Sequence, residues 1–199
     1  MADPDEIALW DAEAESFDEP ADHGLRDPEV RRAWRDLLLG VLPAPPARVA
    51  DLGCGTGTLS VLLAEAGHDV DGLDFSPRMV GLAERKGRGV DGVRFLRADA
   101  FAPPLPEAAY DVVLCRHVLW AMPDPAEALR RWIRLLTPAG RLVLVEGRWS
   151  NGAGLAAEQT VRLVEGTGRA AALERLTDPA YWGRPIDDDR YLVTSPAIG

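Results

Sequence analysis

Residues 49–57 read Val-Ala-Asp-Leu-Gly-Cys-Gly-Thr-Gly, an apolar run that delivers an aspartate into a turn with glycine at every second position. Glycine has no Cβ and enters left-handed backbone freely, so Gly53, Gly55 and Gly57 permit a sharp reversal between a strand and the helix that follows. About twenty residues later a second apolar run ends on Asp74. Strand, glycine turn, helix, strand is the start of a parallel α/β sheet. The bare backbone of the turn and the unpaired N–H groups at the helix start make a seat for a small molecule.

The alternation continues along the chain. Apolar runs at 48–52, 69–73, 93–98, 110–115 and 141–146 are interleaved with helical patterns over 57–66, 77–87 and 125–136, as parallel strands with right-handed crossovers require. The helix at 125 has a full start signal in Asp124-Pro125-Ala126-Glu127, an aspartate cap, a proline at the first position and a glutamate three after the cap. Beyond residue 146 the pattern predicts a helix around 155–166 and two β-like runs over 171–177 and 190–195. Ahead of the glycine turn, apolar residues at 7, 10, 14 and 17 predict a helix over 7–17. Asp27-Pro28 opens a second, running to 41 with Val30, Trp34, Leu37 and Leu38 inward. The stiff connector Pro43-Ala44-Pro45-Pro46 then separates a helical cover, 1–42, from a core, 45–147, while 148–199 supplies the last helix, loops and closing strands. With 199 residues the chain suits one domain, since forty residues cannot bury a core of their own.

Charge narrows the partners. The formal net charge is −10 and Lys86 is the single lysine, so neither a phosphate backbone nor an anionic membrane is an expected partner. Met1-Ala2-Asp3-Pro4-Asp5-Glu6 lacks the basic and apolar regions of a secretory signal, which predicts a cytoplasmic protein. Cys54 and Cys115 are expected to stay thiols. No two of the three histidines share a ligand spacing and neither cysteine has a soft partner nearby, so no metal site is expected.

The glycine spacing selects the ligand. A dinucleotide fingerprint needs Gly-x-Gly-x-x-Gly, and its third glycine position here is Thr58, which argues against a nicotinamide oxidoreductase. Asp-x-Gly-x-Gly-x-Gly, followed in order by Leu73-Asp74-Phe75-Ser76-Pro77, Asp99-Ala100, Tyr110-Asp111-Val112-Val113-Leu114 and Leu136-Thr137-Pro138-Ala139-Gly140-Arg141-Leu142, resembles class I S-adenosylmethionine-dependent methyltransferases over roughly residues 45–147. The resemblance implies a Rossmann-like, doubly wound, mostly parallel seven-stranded sheet with helices on both faces and an antiparallel C-terminal hairpin. It also implies S-adenosyl-L-methionine as cofactor and methyl transfer to an O or N atom of a small-molecule metabolite, by a monomer or homodimer. A protein that uses the cofactor site without methylating is the alternative.

Candidate site residues lie at strand ends, where open α/β sheets bind ligands. Under the resemblance Asp74 accepts the ribose hydroxyls, or else it caps the helix at Ser76-Pro77. Asp99 accepts the adenine amino group with the Ala100 amide on a ring nitrogen, or is a turn aspartate. Phe75 and Met79 flank the adenine or belong to the core. Asp51 and Gly53 face the methionine end, with Asp51 alternatively only a buttress of the turn. Cys54, Gly55, Gly57, Cys115 and Arg116 complete the expected cofactor wall.

Methyl transfer from a sulfonium needs alignment in a dry cleft, and a base only where the acceptor carries a proton. His117, just past the fourth strand in Cys115-Arg116-His117-Val118, is the leading candidate base, against a role in pinning its loop. His23 is a second, if the cover closes as a lid. His68 sits at the opposite end of the sheet. Nucleobase amino-methyltransferases carry Asn/Asp-Pro-Pro-Tyr/Phe after the fourth strand, which this chain lacks. The acceptor pocket is expected from Trp10, Phe17, Trp120, the segment Arg148-Trp149-Ser150 and the insertion Tyr181-Trp182-Gly183-Arg184, suiting a flat or carboxylated molecule; in helices, tryptophans also serve as core.

Overall fold

The computed structural model describes residues 3–196. Seven strands form one sheet: β1 Arg48–Leu52, β2 Asp69–Asp74, β3 Val93–Arg97, β4 Tyr110–Arg116, β5 Leu136–Arg148, β6 Ala172–Arg175 and β7 Asp189–Ser195. Their order is β3-β2-β1-β4-β5-β7-β6. The first five are parallel, and β7 pairs antiparallel with both β5 and β6, which gives the expected C-terminal hairpin. The order reverses between β1 and β4, so the crevice at their carboxyl ends is the topological switch point.

Helices α3 Pro28–Val41, α4 Thr58–Glu65 and α5 Pro77–Lys86 cover one face, while α6 Pro125–Leu135 and α7 Ala157–Glu165 cover the other. Because strand side chains alternate between faces, Val112 and Leu114 of β4 join Trp34, Leu38, Leu62 and Leu63 in one core. Val113 and Cys115 join Leu129, Trp132 and Leu135 in the other. Cys115 is therefore buried among apolar side chains.

The cover departs most from expectation. Its first helix, α1, runs Pro4–Glu13 rather than 7–17, because Asp3 caps it through the Asp5 amide and Pro4 takes the first position. This is the same start signal as Asp27-Pro28, set three residues ahead of the apolar spacing. No side chain of α1 is fully buried. A short helix α2, Ala21–Gly24, contains His23 and ends on Leu25 in the left-handed region. β5 also begins earlier than expected, at Leu136 directly after α6, with a register shift opposite Tyr110 and Val112.

Candidate active site

At the carboxyl ends of β1, β2 and β4 lies a cavity of about 1140 Å³ whose outer wall is the N-terminal cover. The glycine turn forms its floor. Gly53 and Cys54 donate their amides to the Leu73 carbonyl at 2.8 and 2.9 Å, which hangs the turn on β2. Gly53 has φ +72°, and a Cβ there would sit 2.5 Å from Val118, so only glycine fits between β1 and the turn after β4.

Asp51, Asp74 and Asp99 stand at the strand ends. Asp51 is 2% exposed and accepts a hydrogen bond from Ser60 Oγ at 2.6 Å. Asp74 accepts the Gly55 amide on Oδ2 at 3.0 Å and the Ser76 amide on Oδ1 at 2.9 Å, so it shapes the glycine turn while Ser76 caps α5 through Met79. Burial pushes both carboxyls up, each to about 6. Asp99 accepts the Phe101 amide at 2.9 Å, and Phe75, Met79 and Ala100 complete this side of the cavity.

Asp51, Gly53, Cys54, Gly55, Asp74, Phe75, Met79, Asp99, Ala100, Arg116, His117 and His23 all line the cavity. Two expected contacts do not. Gly57 caps α4 and packs its backbone against Phe95 and Ala83, while Cys115 faces the core because strand alternation turns it away from the ligand side.

The histidines separate in role. Arg190 Nη1 stands 3.1 Å from His117 Nε2, and the ring meets Trp149 edge-on at 5.2 Å. Burial, then Arg116, Arg190 and His23, hold His117 well below its ordinary 6.5. A guanidinium only donates, so Nε2 is already an acceptor and Nδ1 carries the proton of the neutral ring. That geometry does not support His117 as a general base. His23 has the complementary arrangement: its Nδ1 lies 3.1 Å from the Phe17 carbonyl, which only accepts, leaving the lone pair of the neutral ring on Nε2. Asp22 Oδ2 stands 3.5 Å from that nitrogen, and the ring stacks on Phe17 at 4.5 Å. Burial, then Arg116, lower its pKa.

The cavity is also lined by Trp10, Phe17, Phe101, Trp120, Met122 and Trp149. Trp120 and Trp149 meet at 5.5 Å. The insertion at 181–184 does not contribute. Trp182 is 4% exposed and packs edge-on against Trp34 at 5.7 Å, and the Tyr181 carbonyl accepts from Trp34 Nε1 at 2.7 Å. These two aromatics close the core beneath α3. Of the segment Arg148-Trp149-Ser150, Trp149 alone reaches the cavity.

Three further elements escape a reading by pattern. Lys86 Nζ pairs with Asp18 Oδ2 at 2.7 Å and with Thr56 at 2.9 Å, and Asp11 accepts from Ser76 Oγ and the Arg78 amide, so the cover is fastened to the glycine turn and to α5. Arg190 is the second. The third is Glu146, wholly buried, whose Oε1 accepts the Val118 and Leu119 amides at 3.1 and 2.8 Å. Burial pushes its carboxyl up to about 8. A charged residue ending the all-apolar stretch Leu142–Val145 is the sequence signal for it. Among the described residues no cluster of three His, Cys, Asp or Glu side chains is placed to hold a metal ion, and no helix is long and apolar enough to cross a membrane.

Sheet order and the switch-point cavity are those of the Rossmann-like methyltransferase fold. Residues 50–144 match the methyltransferase-domain family. A demethylmenaquinone methyltransferase of Thermus thermophilus is 43% identical over 118 residues, covering 57% of this chain and 53% of that protein. A ubiquinone biosynthesis O-methyltransferase of Ralstonia nicotianae is 32% identical over 145 residues, 71% of this chain and 60% of that protein. The chain spans about half the length of the curated relatives it matches. A SAM-dependent methyltransferase from Aquifex aeolicus shares the fold at a TM-score of 0.68 and 18% identity, over all of both chains.

Proposed function

We propose that this chain transfers the methyl group of S-adenosylmethionine to an O or N atom of a planar small molecule. The observation that carries the reading is one switch-point cavity lined by the glycine turn, by Asp51, Asp74 and Asp99, by Trp10, Trp120 and Trp149, and by His23. The residues suit the cofactor. Asp51 and Asp74 are buried carboxyls with lone pairs to spare, and Gly53 and Gly55 line the cavity with bare backbone.

Bound S-adenosylmethionine supplies an electrophilic methyl on a sulfonium. Asp74 would take the ribose hydroxyls, Asp99 and the Ala100 amide the adenine edge, and Phe75 and Met79 its faces. Asp51 would hold the ammonium and Arg116 the carboxylate. Trp10, Trp120 and Trp149 sandwich a flat acceptor and exclude water, which supplies alignment and a dry path for in-line displacement. His23 Nε2 receives the proton that an O–H or N–H acceptor loses, and Asp22 stabilises the imidazolium that forms. The names of the relatives, for the menaquinone and ubiquinone series, agree with a flat ring. The net charge of −10 favours a metabolite over nucleic acid.

Calorimetry with S-adenosylmethionine, followed by labelled-methyl transfer to a panel of hydroxy- and amino-substituted rings, tests the reading. Cofactor binding with methylation of at least one ring is expected. No cofactor binding, or binding without transfer to any panel member, overturns it.

A further inference from the structure

The chain leaves β4 at Arg116 and turns at once. His117 sits in the left-handed region at φ +59°, its amide donating to the Val145 carbonyl at 2.9 Å. The turn swings the next two amides, of Val118 and Leu119, away from any strand partner and into the interior. Two buried donors without partners would each cost about 1–3 kcal/mol. One atom, Glu146 Oε1 on the neighbouring strand, accepts both.

What the turn carries explains why its geometry matters. Val118 fills the space that a side chain at Gly53 would occupy, so it touches the floor of the cofactor wall. Trp120, two residues on, donates its indole N–H to the His117 carbonyl at 2.9 Å and packs against Trp149 in the aromatic wall. Gly53 and Cys54 are tied separately, to the Leu73 carbonyl. Releasing Glu146 would therefore free the aromatic wall while the glycine floor stays hung on β2.

We propose that Glu146 is the positioning residue of this site: its buried carboxyl oxygen clamps the turn at 117–120 and so sets the distance between the aromatic acceptor wall and the cofactor floor. It touches neither substrate nor cofactor. An apolar residue of equal size would fill the same space and leave both amides unpaired. Glutamine keeps an acceptor oxygen on a neutral side chain of the same length and should preserve the clamp.

Only the kinetic part of the test rests on the methyl-transfer reading. The full chain and its Glu146→Gln and Glu146→Leu variants are compared by amide hydrogen exchange, by calorimetry with S-adenosylmethionine, and by turnover with 1,4-dihydroxynaphthalene as acceptor probe. In Glu146→Leu, Val118 and Leu119 should exchange at least about tenfold faster while Gly53 and Cys54 stay protected. Cofactor affinity should change by less than about threefold, and kcat/KM for the probe should fall by about tenfold or more. Glu146→Gln should match the wild type in all three. Should Glu146→Leu fail to fold, Glu146→Asp, one methylene too short to reach both amides, carries the same expectation.

The clamp is refuted if Val118 and Leu119 stay protected without the carboxyl. It is refuted equally if their protection is lost together with that of Gly53, Cys54 and cofactor affinity, which marks general loosening, or if Glu146→Gln behaves as Glu146→Leu. Should the wild type leave the probe unmethylated, the choice of acceptor fails, and exchange at the two amides still decides the role of Glu146.

Discussion

Arg190 donates a guanidinium proton to Nε2 of His117 at 3.1 Å, which leaves that ring with no free basic nitrogen. His117 Nδ1 is buried and has no hydrogen-bond partner among the described residues. The ring thus props Trp149 instead of moving protons. His117→Ala should raise the acceptor KM and lower turnover by less than about tenfold, the range of a lost contact worth ~1 kcal/mol. Steady-state kinetics with a methylated panel member checks this, and a loss near a thousandfold would restore His117 as the base.

The neighbouring histidine carries the larger prediction. His23→Ala should lower kcat by about a hundredfold with cofactor affinity intact, as loss of a general base does. Because burial and Arg116 lower its pKa, His23 protonates below its ordinary range, so kcat should hold its plateau into mildly acid pH and fall only beneath it. A wild-type kcat profile rising through pH 7 to 8, or unaltered in the variant, would remove His23 from the mechanism.

These contrasts show what could be read from residues in order. Strand alternation and the cap signals at Asp27-Pro28 and Asp124-Pro125 are local, and they located α3, α6 and the sheet before any coordinates. Asp3-Pro4 is equally local, but the apolar spacing at 7, 10, 14 and 17 runs past the end of the helix and draws it too far along. The carboxylates at strand ends were legible because topology alone puts them at the switch point. Pairings across the chain were not. Arg190 reaches His117 over 73 positions and Glu146 meets Leu119 over 27, and no spacing rule encodes either. Trp182 was misplaced because an aromatic in a loop-like insertion reads the same in a pocket as under a helix.

Asp51 and Asp74 make cofactor affinity pH-dependent with a definite sign. Burial raises each from 3.8 to about 6, so both hold protons in the empty site at acid pH, whereas an ammonium or ribose partner prefers the carboxylate. Affinity should weaken as pH falls below about 6, by up to about tenfold per unit for each group, and level off above about 7. The empty protein should behave in the opposite way. A folded pKa above the unfolded one gives stability that is full below 3.8 and is lost as pH rises through about 6, so its Tm should drop over that window. Melting curves with and without S-adenosylmethionine from pH 4 to 8 would show midpoints that lie close together at acid pH and separate as pH rises through about 6; parallel curves would disprove the assignment.

An ammonium is one of the ties that hold the cover at the cavity. Lys86 is about a quarter exposed and bridges Asp18 of the cover to Thr56 in the glycine turn. Lys86→Met should let the cover open more often and speed cofactor dissociation by about fivefold, corresponding to the ~1 kcal/mol of a partly shielded ion pair. Stopped-flow displacement would measure it, and an unchanged rate would mean that the cover does not gate release.

Trp182 separates core from pocket most sharply. It lies against Trp34, donates its indole N–H to the Leu176 carbonyl at 2.9 Å, and has no surface on the cavity. Trp182→Ala should therefore destabilise the fold by about 3–5 kcal/mol, the range for emptying a buried aromatic site. Trp149→Ala removes a side chain from the cavity wall itself, so it should cost less stability and shift acceptor preference instead. Denaturant melts beside a substrate panel resolve the pair. If Trp182→Ala altered acceptor preference at unchanged stability, the insertion would belong to the pocket, and α3 would have to move to admit it.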